Sequence, residues 1–268
     1  MPPASIPSSE ISSPEIPDSS FSSAEGQGAL APLALDFSRR AQLVEMMEQP
    51  CSYEELRACL RDIARVDRLT FAHRPTLSWL DELIASAPKL KRPLRVVDVG
   101  CGDGDMLRRI DAWGAKRGVA VALTGIDLNP NAIRAAKEAT PSGERIEWIV
   151  GDALADAAGE VDVVVSSLLT HHLTDTQIVQ FVRWMELSAL RGWFINDLHR
   201  QPVPYHLFRL WTRFTNWHPF VKNDGPVSIR RSFVMEDWQQ LCAAAGLDAE
   251  AVSIKEHRPA RLCVGRIK

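Results

Sequence analysis

The chain contains 268 residues, 46% of them hydrophobic, and has a formal net charge of −3. This length allows one large α/β domain with additions, and the apolar content allows a substantial core. The slightly acidic balance argues against a general nucleic-acid binder, which normally presents a basic face. Five scattered cysteines without metal-ligand spacing predict reduced thiols in a cytoplasmic protein. No apolar run reaches transmembrane length, so no transmembrane segment is expected.

The first third of the chain divides into a tail and a helical region. Residues 1–32 are rich in Ser, Pro, Ala and Glu, and they predict a disordered tail because they offer little apolar area to bury. Residues 33–90 are predicted to form a helical cap, with helical character from Phe37 to Ala87 and a capping box at Ser52 and Glu55. Such helices lie outside the sheet, where they either cover a ligand site or brace one edge.

The stretch Val96–Leu107 organises the rest of the chain. It reads V-V-D-V-G-C-G-D-G-D-M-L, which predicts a buried strand, a tight turn and a helix start. Glycines in such a turn let the backbone approach a ligand closely, and the helix N-terminus supplies free N–H groups. The dinucleotide fingerprint places its third glycine one residue later, where this chain has Asp105. This departure argues against a nicotinamide cofactor.

Strands and helices alternate after this turn, which predicts a parallel, doubly wound sheet with right-handed crossovers. Two helix starts carry capping signals, one at Asn129-Pro130 and one at Thr174 with Gln177. The last helix is predicted to end at Gly246. The predicted strands are Val96–Asp98, Leu123–Asp127, Ile146–Val150, Val161–Ser167, Trp193–Asp197, Ala251–Glu256 and Arg261–Ile267.

Acidic residues close three of these strands in turn, at Asp98, Asp127 and Asp152. Ligands of doubly wound sheets bind at the carboxyl ends of the strands, near the switch in strand order. A carboxylate there accepts hydrogen bonds and attracts a cation. Each acid also has a structural explanation, since Asp127 could cap the following turn and Asp152 could merely end a strand. Their occurrence in order after the glycine turn favours a shared ligand site.

G-x-G-x-G after Asp98, G-I-D-L-N-P around Asp127 and G-D-A at Asp152 together resemble the class I S-adenosylmethionine-dependent methyltransferases. The resemblance implies an α/β fold: a Rossmann-like, doubly wound, mostly parallel seven-stranded sheet with a C-terminal antiparallel β-hairpin. It places the methyltransferase domain at residues 91–268, after the helical cap. The segments N-D-L-H-R and R-R-S-F are similar to bacterial methyltransferases of secondary metabolism or quinone-type substrates.

The same resemblance implies contacts to S-adenosyl-L-methionine. The turn after Asp98 would hold the methionyl end, Asp127 would accept from the ribose hydroxyls, and Asp152 would accept from the adenine amine. The residues after the fourth strand would lie beneath the sulfonium. The implied cofactor residues are Asp98, Gly100, Cys101, Gly102, Gly104, Asp127, Leu128, Asp152, Ala153, Ser167 and Leu168.

Methyl transfer from a sulfonium has a good, neutral leaving group, so the enzyme mainly supplies alignment and desolvation. A phenol or enol acceptor needs a base only if it arrives protonated. The candidate bases are His171, His172, Asp197, His199 and His206. His171 and His199 are the preferred catalytic candidates, although either could equally be structural. The histidine spacing does not suggest a metal site, and none is expected.

Residues 202–233 are predicted to be an aromatic-rich insertion that breaks near His218-Pro219. In the resembled family an insertion here lies over the acceptor, which favours an apolar lid. Ordinary core, a dimer interface and a membrane-surface helix with Arg209 and Arg213 on its polar face remain alternatives. The predicted lid residues are Tyr205, Phe208, Trp211 and Arg230, of which Arg230 would pair with a substrate carboxylate or be solvated.

Together these features predict methyl transfer from S-adenosylmethionine to a small apolar or aromatic acceptor. O-methylation of a phenol or polyketide-like molecule is favoured, with C-methylation of a quinone-like ring as the alternative. A nicotinamide-dependent oxidoreductase and a non-catalytic binding module that keeps the cofactor fold are the competing classes. S-S-L-L-T-H-H stands where amine and amide methyltransferases carry N-P-P-Y, which argues against nucleic acid as a partner. A monomer or homodimer is expected, with peripheral membrane contact left open.

Overall fold

The computed structural model describes residues 35–86, 91–155 and 161–268, so the predicted tail at residues 1–32 lies outside the described residues. The helices are α1 (Tyr53–Leu69), α2 (Arg74–Ser86), α3 (Asp105–Arg117), α4 (Pro130–Ala139), α5 (Asp175–Ser188), α6 (Pro202–Thr212), α7 (Pro219–Arg231) and α8 (Met235–Ala244). The strands are β1 (Leu94–Val99), β2 (Val121–Asp127), β3 (Ile146–Val150), β4 (Val161–Ser167), β5 (Ala189–Leu198), β6 (Ser253–His257) and β7 (Arg261–Ile267). Short 3₁₀ turns occupy Met46–Glu48, Thr170–His172 and Ala249–Ala251.

The strands form one seven-stranded sheet in the order β3-β2-β1-β4-β5-β7-β6. The first five strands in the chain pair in parallel, and only β7 runs antiparallel to both β5 and β6. Val96 of β1 pairs with Leu123 on one side and Val163 on the other, so the strand order reverses at β1. The carboxyl edge at this switch is the ligand-binding position of doubly wound sheets. The predicted α/β architecture and closing hairpin are confirmed.

The predicted helix signals are present as side-chain contacts. Ser52 and Glu55 cap α1 reciprocally, and Thr174 with Gln177 does the same for α5. Asn129 accepts a hydrogen bond from the Asn131 N–H, with Pro130 as the first helical residue of α4. These caps satisfy backbone donors that a helix start leaves free. All five cysteines are free thiols, as predicted.

The segment before α1 is not helical, although helical character was predicted from Phe37 onward. It runs without regular structure as far as the Met46–Glu48 turn. Tertiary hydrogen bonds explain the difference, because they connect this segment to distant parts of the chain. Arg200, whose side chain is fully buried, donates to the Phe37 carbonyl at 2.9 Å. Arg40 donates to the Leu173 and Arg231 carbonyls, both at 2.9 Å.

The two N-terminal helices perform the two roles that the sequence left open. α2 braces the sheet, with Trp79 stacked on Phe194 of β5 at a ring-centroid distance of 5.2 Å. Asn196 of β5 donates to the carbonyl of Ala72 just before α2 at 2.8 Å. α1 instead lies at the carboxyl edge, where Leu60 comes within 3.6 Å of the position that a Cβ on Gly102 would occupy. One helix therefore supports the sheet and the other covers the glycine turn.

Gly104 is the residue of the turn that fixes helix against sheet. Its φ of +77° is left-handed, and an added Cβ would overlap the indole of Trp148 on β3. Gly118 at the end of α3 has a similar φ of +66°, but a Cβ there would meet no atom within 4 Å. Replacing either glycine by alanine would therefore strain the backbone, but only the replacement of Gly104 would also cause a steric clash.

Gly104→Ala is expected to lower the free energy of unfolding by about 2–4 kcal/mol, since it adds overpacking to backbone strain. Gly118→Ala, the matched control, should cost only about 1 kcal/mol. Urea denaturation followed by tryptophan fluorescence measures both. Equal losses for the two variants would contradict the proposed packing of Trp148.

Candidate active site

A cavity of about 1350 Å³ opens at the carboxyl edge of the sheet. The ends of β1, β2 and β4 form its floor, and α1, α6 and α7 contribute walls. The glycine turn and the aromatic insertion, which lie more than 90 positions apart in the chain, both reach it. The predicted cofactor half and acceptor half therefore share one space.

Asp98 and Asp127 place two carboxylates together on this floor. Asp98 is 2% exposed, and its Oδ1 has no hydrogen-bond partner among the described residues. Burial, with the Asp127 charge adding to it, raises the pKa of Asp98 to about 8. Asp127 accepts from the Gly102 N–H at 3.0 Å and the Asn129 N–H at 2.8 Å, while burial still raises its pKa. Such a pair favours a bound cation or hydrogen-bond donor.

The glycine turn lies beside these carboxylates. A Cβ on Gly100 would come within 2.9 Å of the Leu169 side chain, so glycine allows the turn and Leu169 to lie this close together. Gly100, Cys101 and Gly102 line the cavity. Gly104 does not, because it packs against Trp148 instead. Its place in the turn is explained by packing, although it was predicted to contact a cofactor.

The remaining predicted cofactor residues line the cavity from other strand ends. Asp152 accepts from the Leu154 N–H at 2.9 Å, and Leu128 is 73% exposed with an apolar face toward the opening. Leu168 has a φ of +56°, a strained backbone for a leucine that is typical of functional turns. The full set on the cavity wall is Asp98, Gly100, Cys101, Gly102, Asp127, Leu128, Asp152, Ala153, Ser167 and Leu168.

His171 and Asp197 form a buried pair in a part of the site away from the glycine turn. His171 Nδ1 lies 2.7 Å from Asp197 Oδ1, and both side chains are at most 3% exposed. Asp197 also accepts from Thr170 Oγ1 at 2.5 Å and from the His171 N–H at 3.0 Å. Burial opposes the charged form of His171, but Asp197 outweighs it and raises the pKa of His171. With Nδ1–H donating to Asp197, Nε2 keeps its lone pair for another group.

Glu45 faces the Nε2 side of His171, a contact that sequence reasoning missed. Its Oε1 lies 3.6 Å from His171 Nε2, and the carboxyl is 2% exposed. Ser228 of α7 donates to the same oxygen at 2.8 Å. Burial raises the pKa of Glu45 against the opposing effect of His171. The Met46–Glu48 turn that follows is held by Asp224, which accepts from the Met46 N–H at 2.8 Å.

Glu48, His172 and Arg231 extend this cluster. His172 Nδ1 lies 2.7 Å from Glu48 Oε1, and Arg231 donates to Glu48 Oε2 at 2.8 Å. Burial and the nearby His171 lower the pKa of His172 to about 4. Burial would raise the pKa of Glu48, but the bonds from Arg231 and His172 lower it to about 2. His172 is thus neutral and Glu48 ionised near neutral pH.

Glu45, His171 and His172 each present one donor atom, and these atoms lie within 4.8 Å of one another. Such a set could hold a metal ion in principle. The Arg231 guanidinium, however, lies 3.6 Å from Glu45 Oε1 and already supplies positive charge there. A divalent cation at this point would be repelled by that guanidinium. A site without metal stays the prediction.

The structure does not bring His199 to the cavity. His199 is 7% exposed, and its Nε2 lies 3.3 Å from Gln201 Nε2. Its Nδ1 is 3.9 Å from Glu256 on the outer hairpin. These surroundings are structural and give His199 no route to a ligand in the cavity.

The aromatic insertion forms α6 and α7, separated near His218-Pro219 as predicted. Phe208 and Trp211 line the cavity, whereas Tyr205 packs on Phe37 and Arg230 lies off the cavity wall. α6 and the turn that follows it also expose a row of apolar side chains that line the cavity, namely Val203, Leu207, Leu210 and Phe214. Within the described residues, no helix combines the length and apolarity that a membrane crossing requires.

Comparison with known proteins agrees with this geometry. Residues 96–187 match the family model described as a methyltransferase domain. The ubiquinone biosynthesis O-methyltransferase of Nitrosomonas europaea is 29% identical over 171 residues, which cover 58% of this chain and 68% of that protein. The Thiobacillus denitrificans protein of the same name is 27% identical over 196 residues, covering 68% and 75%.

Solved structures share the fold at low sequence identity. The plantazolicin methyltransferase BpumL, solved with SAH, superposes with a TM-score of 0.57 at 16% identity over 80% of this chain and 95% of that one. Human N-acetylserotonin methyltransferase gives a TM-score of 0.57 at 14% identity, over 81% and 56%. The fold, the glycine turn with the acidic strand ends and the methyltransferase-domain match over residues 96–187 together support a class I S-adenosylmethionine-dependent methyltransferase.

Proposed function

We propose that this methyltransferase methylates a phenolic oxygen on a small, largely apolar acceptor. The observation that carries the proposal is the His171–Asp197 pair, 2.7 Å apart, of which His171 lies on the wall of the cavity that Asp98 and Asp127 also line. A base of this kind serves an acceptor that arrives protonated, as a phenol does at neutral pH. The relatives' names, which refer to O-methylation in ubiquinone biosynthesis, support the same acceptor class.

The residues on the cavity floor fit S-adenosylmethionine. That cofactor supplies a methyl group on a positively charged sulfur, which leaves as a neutral thioether. Asp98, with a buried and unpartnered oxygen, suits a positively charged or donating group. Asp127 would accept from ribose hydroxyls, and the exposed Leu128 beside it would cover the adenine. Asp152 and Ala153 would bond the edge of the base.

On the acceptor side, His171 would receive the phenolic proton at Nε2. Asp197 holds the ring orientation and stabilises the imidazolium that forms, as carboxylates do for catalytic histidines. Glu45, whose Oε1 lies 3.6 Å from that nitrogen, adds negative charge on the side where the proton arrives and would stabilise the imidazolium. Phe208 and Trp211 exclude water from the acceptor half, where desolvation favours the displacement. The apolar row on α6 lines the mouth and would admit an acceptor with a hydrophobic tail.

The direct test supplies the purified full chain with methyl-labelled S-adenosylmethionine and matched catechols and hydroquinones, with and without prenyl tails. NMR of the product distinguishes a methyl ether from a ring methyl. Methyl ethers are expected, with lower KM for the tailed acceptors. Ring-methylated products would establish C-methylation instead, and transfer to none of these acceptors would contradict the proposal.

His171→Gln should lower kcat by about 100-fold. His206, the candidate base on α6, is exposed and does not line the cavity, so His206→Gln should leave kcat unchanged.

The pH dependence follows from the raised pKa of His171. A base must be neutral to act, so kcat/KM should rise as pH increases through that pKa and fall at lower pH. Asp197→Asn removes the carboxylate that raises the pKa, so the acidic limb should move to lower pH. The maximal rate should also fall, because the ring loses its orientation. An acidic limb that stays in place in the Asn variant would exclude His171 as the titrating base.

Asp98→Asn should stabilise the unliganded protein while weakening S-adenosylhomocysteine binding. The pKa of Asp98 is raised to about 8 in the folded protein, so its charged form opposes folding. The resulting loss of folding free energy grows as the pH rises above the pKa of Asp98 in the unfolded chain. The variant's melting temperature should therefore exceed that of the wild type near pH 8, by about 2–4 °C per kcal/mol, and converge with it near pH 4. Differential scanning fluorimetry measures the shift, with exposed Asp248→Asn as the control. A lower melting temperature for Asp98→Asn near pH 8 would refute the electrostatic interpretation.

A further inference from the structure

Arg261 is a buried cation on the cavity wall that the proposed reaction does not use. It is the first residue of β7, is 5% exposed, and lines the cavity. Its Nη2 donates to Asp67 Oδ1 on α1 at 2.5 Å. Its Nη1 is buried and finds no acceptor among the described residues. Since an unpaired, buried, charged donor is unfavourable, this nitrogen is suited to an anionic ligand atom.

Asp67 places this pair beside the glycine turn. Asp67 follows Leu60 by seven residues, so both lie on one face of α1, and both line the cavity. Leu60 comes within 3.6 Å of where a Cβ on Gly102 would lie. Burial raises the pKa of Asp67, and the charge of Asp105 at the end of the turn raises it further, whereas Arg261 acts to lower it. The ion pair and the turn therefore share one part of the cavity.

His73, just before α2, adds a third polar group to this corner. It lines the cavity, and its Nδ1 is buried without a hydrogen-bond partner in the described part of the chain. Burial lowers the pKa of His73, and the positive charges of Arg109 and Arg261 lower it further. His73 is thus neutral at neutral pH and has a ring nitrogen available to a ligand.

We propose that Arg261, Asp67 and His73 bind the α-amino-carboxylate end of the cofactor. The carboxylate is held by Arg261 Nη1, and the ammonium group lies toward Asp67 and His73. A zwitterion matches this corner because a cation and an anion stand side by side there, and each would face its opposite. The corner adjoins the glycine turn, as the amino-acid end of an adenosyl cofactor bound over Asp98 and Asp127 requires. This proposal rests on the proposed function, since it concerns the same cofactor.

The test compares two ligands that differ only at that end. S-adenosylhomocysteine carries the amino acid, and 5′-methylthioadenosine is the same thioether nucleoside without it. Isothermal titration of the full chain gives both affinities for the wild type and for Arg261→Gln. The variant should bind S-adenosylhomocysteine about 10- to 100-fold more weakly and 5′-methylthioadenosine within about twofold of the wild type. Arg266→Gln is the matched control, because Arg266 lies on the same strand and pairs with Glu186 instead; it should change neither affinity.

The outcomes separate this proposal from the one on which it rests. A wild type that binds neither nucleoside would contradict the proposed function itself. An unchanged S-adenosylhomocysteine affinity in Arg261→Gln would overturn the assignment of Arg261. The same holds if Arg261→Gln raises only the KM for the acceptor. Equal losses for both ligands would also overturn it, since they would indicate a structural role. Arg261→Lys keeps the charge opposite Asp67, and if the Gln variant does not fold, a selective several-fold loss in Arg261→Lys decides the question.

Discussion

Two neighbouring carboxyl groups, the buried Asp98 and the partly buried Asp127, set the electrostatics of the cavity floor. Asp98 and Asp127 lie at the carboxyl ends of neighbouring strands, and neither forms an ion pair within the described part of the chain. The parallel register brings them near each other, because Asp98 of β1 pairs with Gly125, two residues before Asp127 at the end of β2. The fold therefore carries an electrostatic cost when the site is empty, which a cationic ligand would relieve. The proposed cofactor chemistry depends on this pair, because a bound cation would favour the ionised form of Asp98, whose pKa is raised to about 8.

The opposite half of the cavity is compensated, which gives it a different role. Asp197 faces His171, and Glu45 and Glu48 face Arg231, so each buried charge has an opposite neighbour. These contacts join the segment before α1 to the residues after β4 and to the end of α7. The half of the cavity proposed for the acceptor is thus organised in the absence of a ligand, as an aligned base would require. One cavity contains both the floor proposed for the cofactor and the wall proposed for the acceptor.

Local signals predicted much of the fold, because caps, strand ends and turns depend on neighbouring residues. Ser52, Asn129 and Thr174 cap helices as expected, and Ile146–Val150 and Val161–Ser167 are strands at the predicted bounds. The carboxyl edge could be predicted for the same reason, since parallel strands bring Asp98, Asp127 and Asp152 to one side.

The partners of the residues on the cavity wall could not be predicted from local pattern. Glu45 meets Ser228 across 183 positions, and Arg261 meets Asp67 across 194. Spacing along the insertion also did not show which face of α6 turns inward, so Tyr205 lies off the cavity while Phe208 lines it. Even the irregular segment before α1 depends on distant groups, because Arg200 donates to the Phe37 carbonyl and Arg40 of the segment donates to the Arg231 carbonyl.

A measurement of proton exchange on binding reports most directly on the carboxyl groups of the cavity floor. Titration of S-adenosylmethionine near pH 7 in buffers of different ionisation enthalpy gives the protons exchanged on binding. Release of protons by the wild type, and much less by Asp98→Asn, is the predicted result, because a bound cation lowers a raised carboxyl pKa. Binding without proton release, or no binding at all, would contradict a cofactor site built on buried acids.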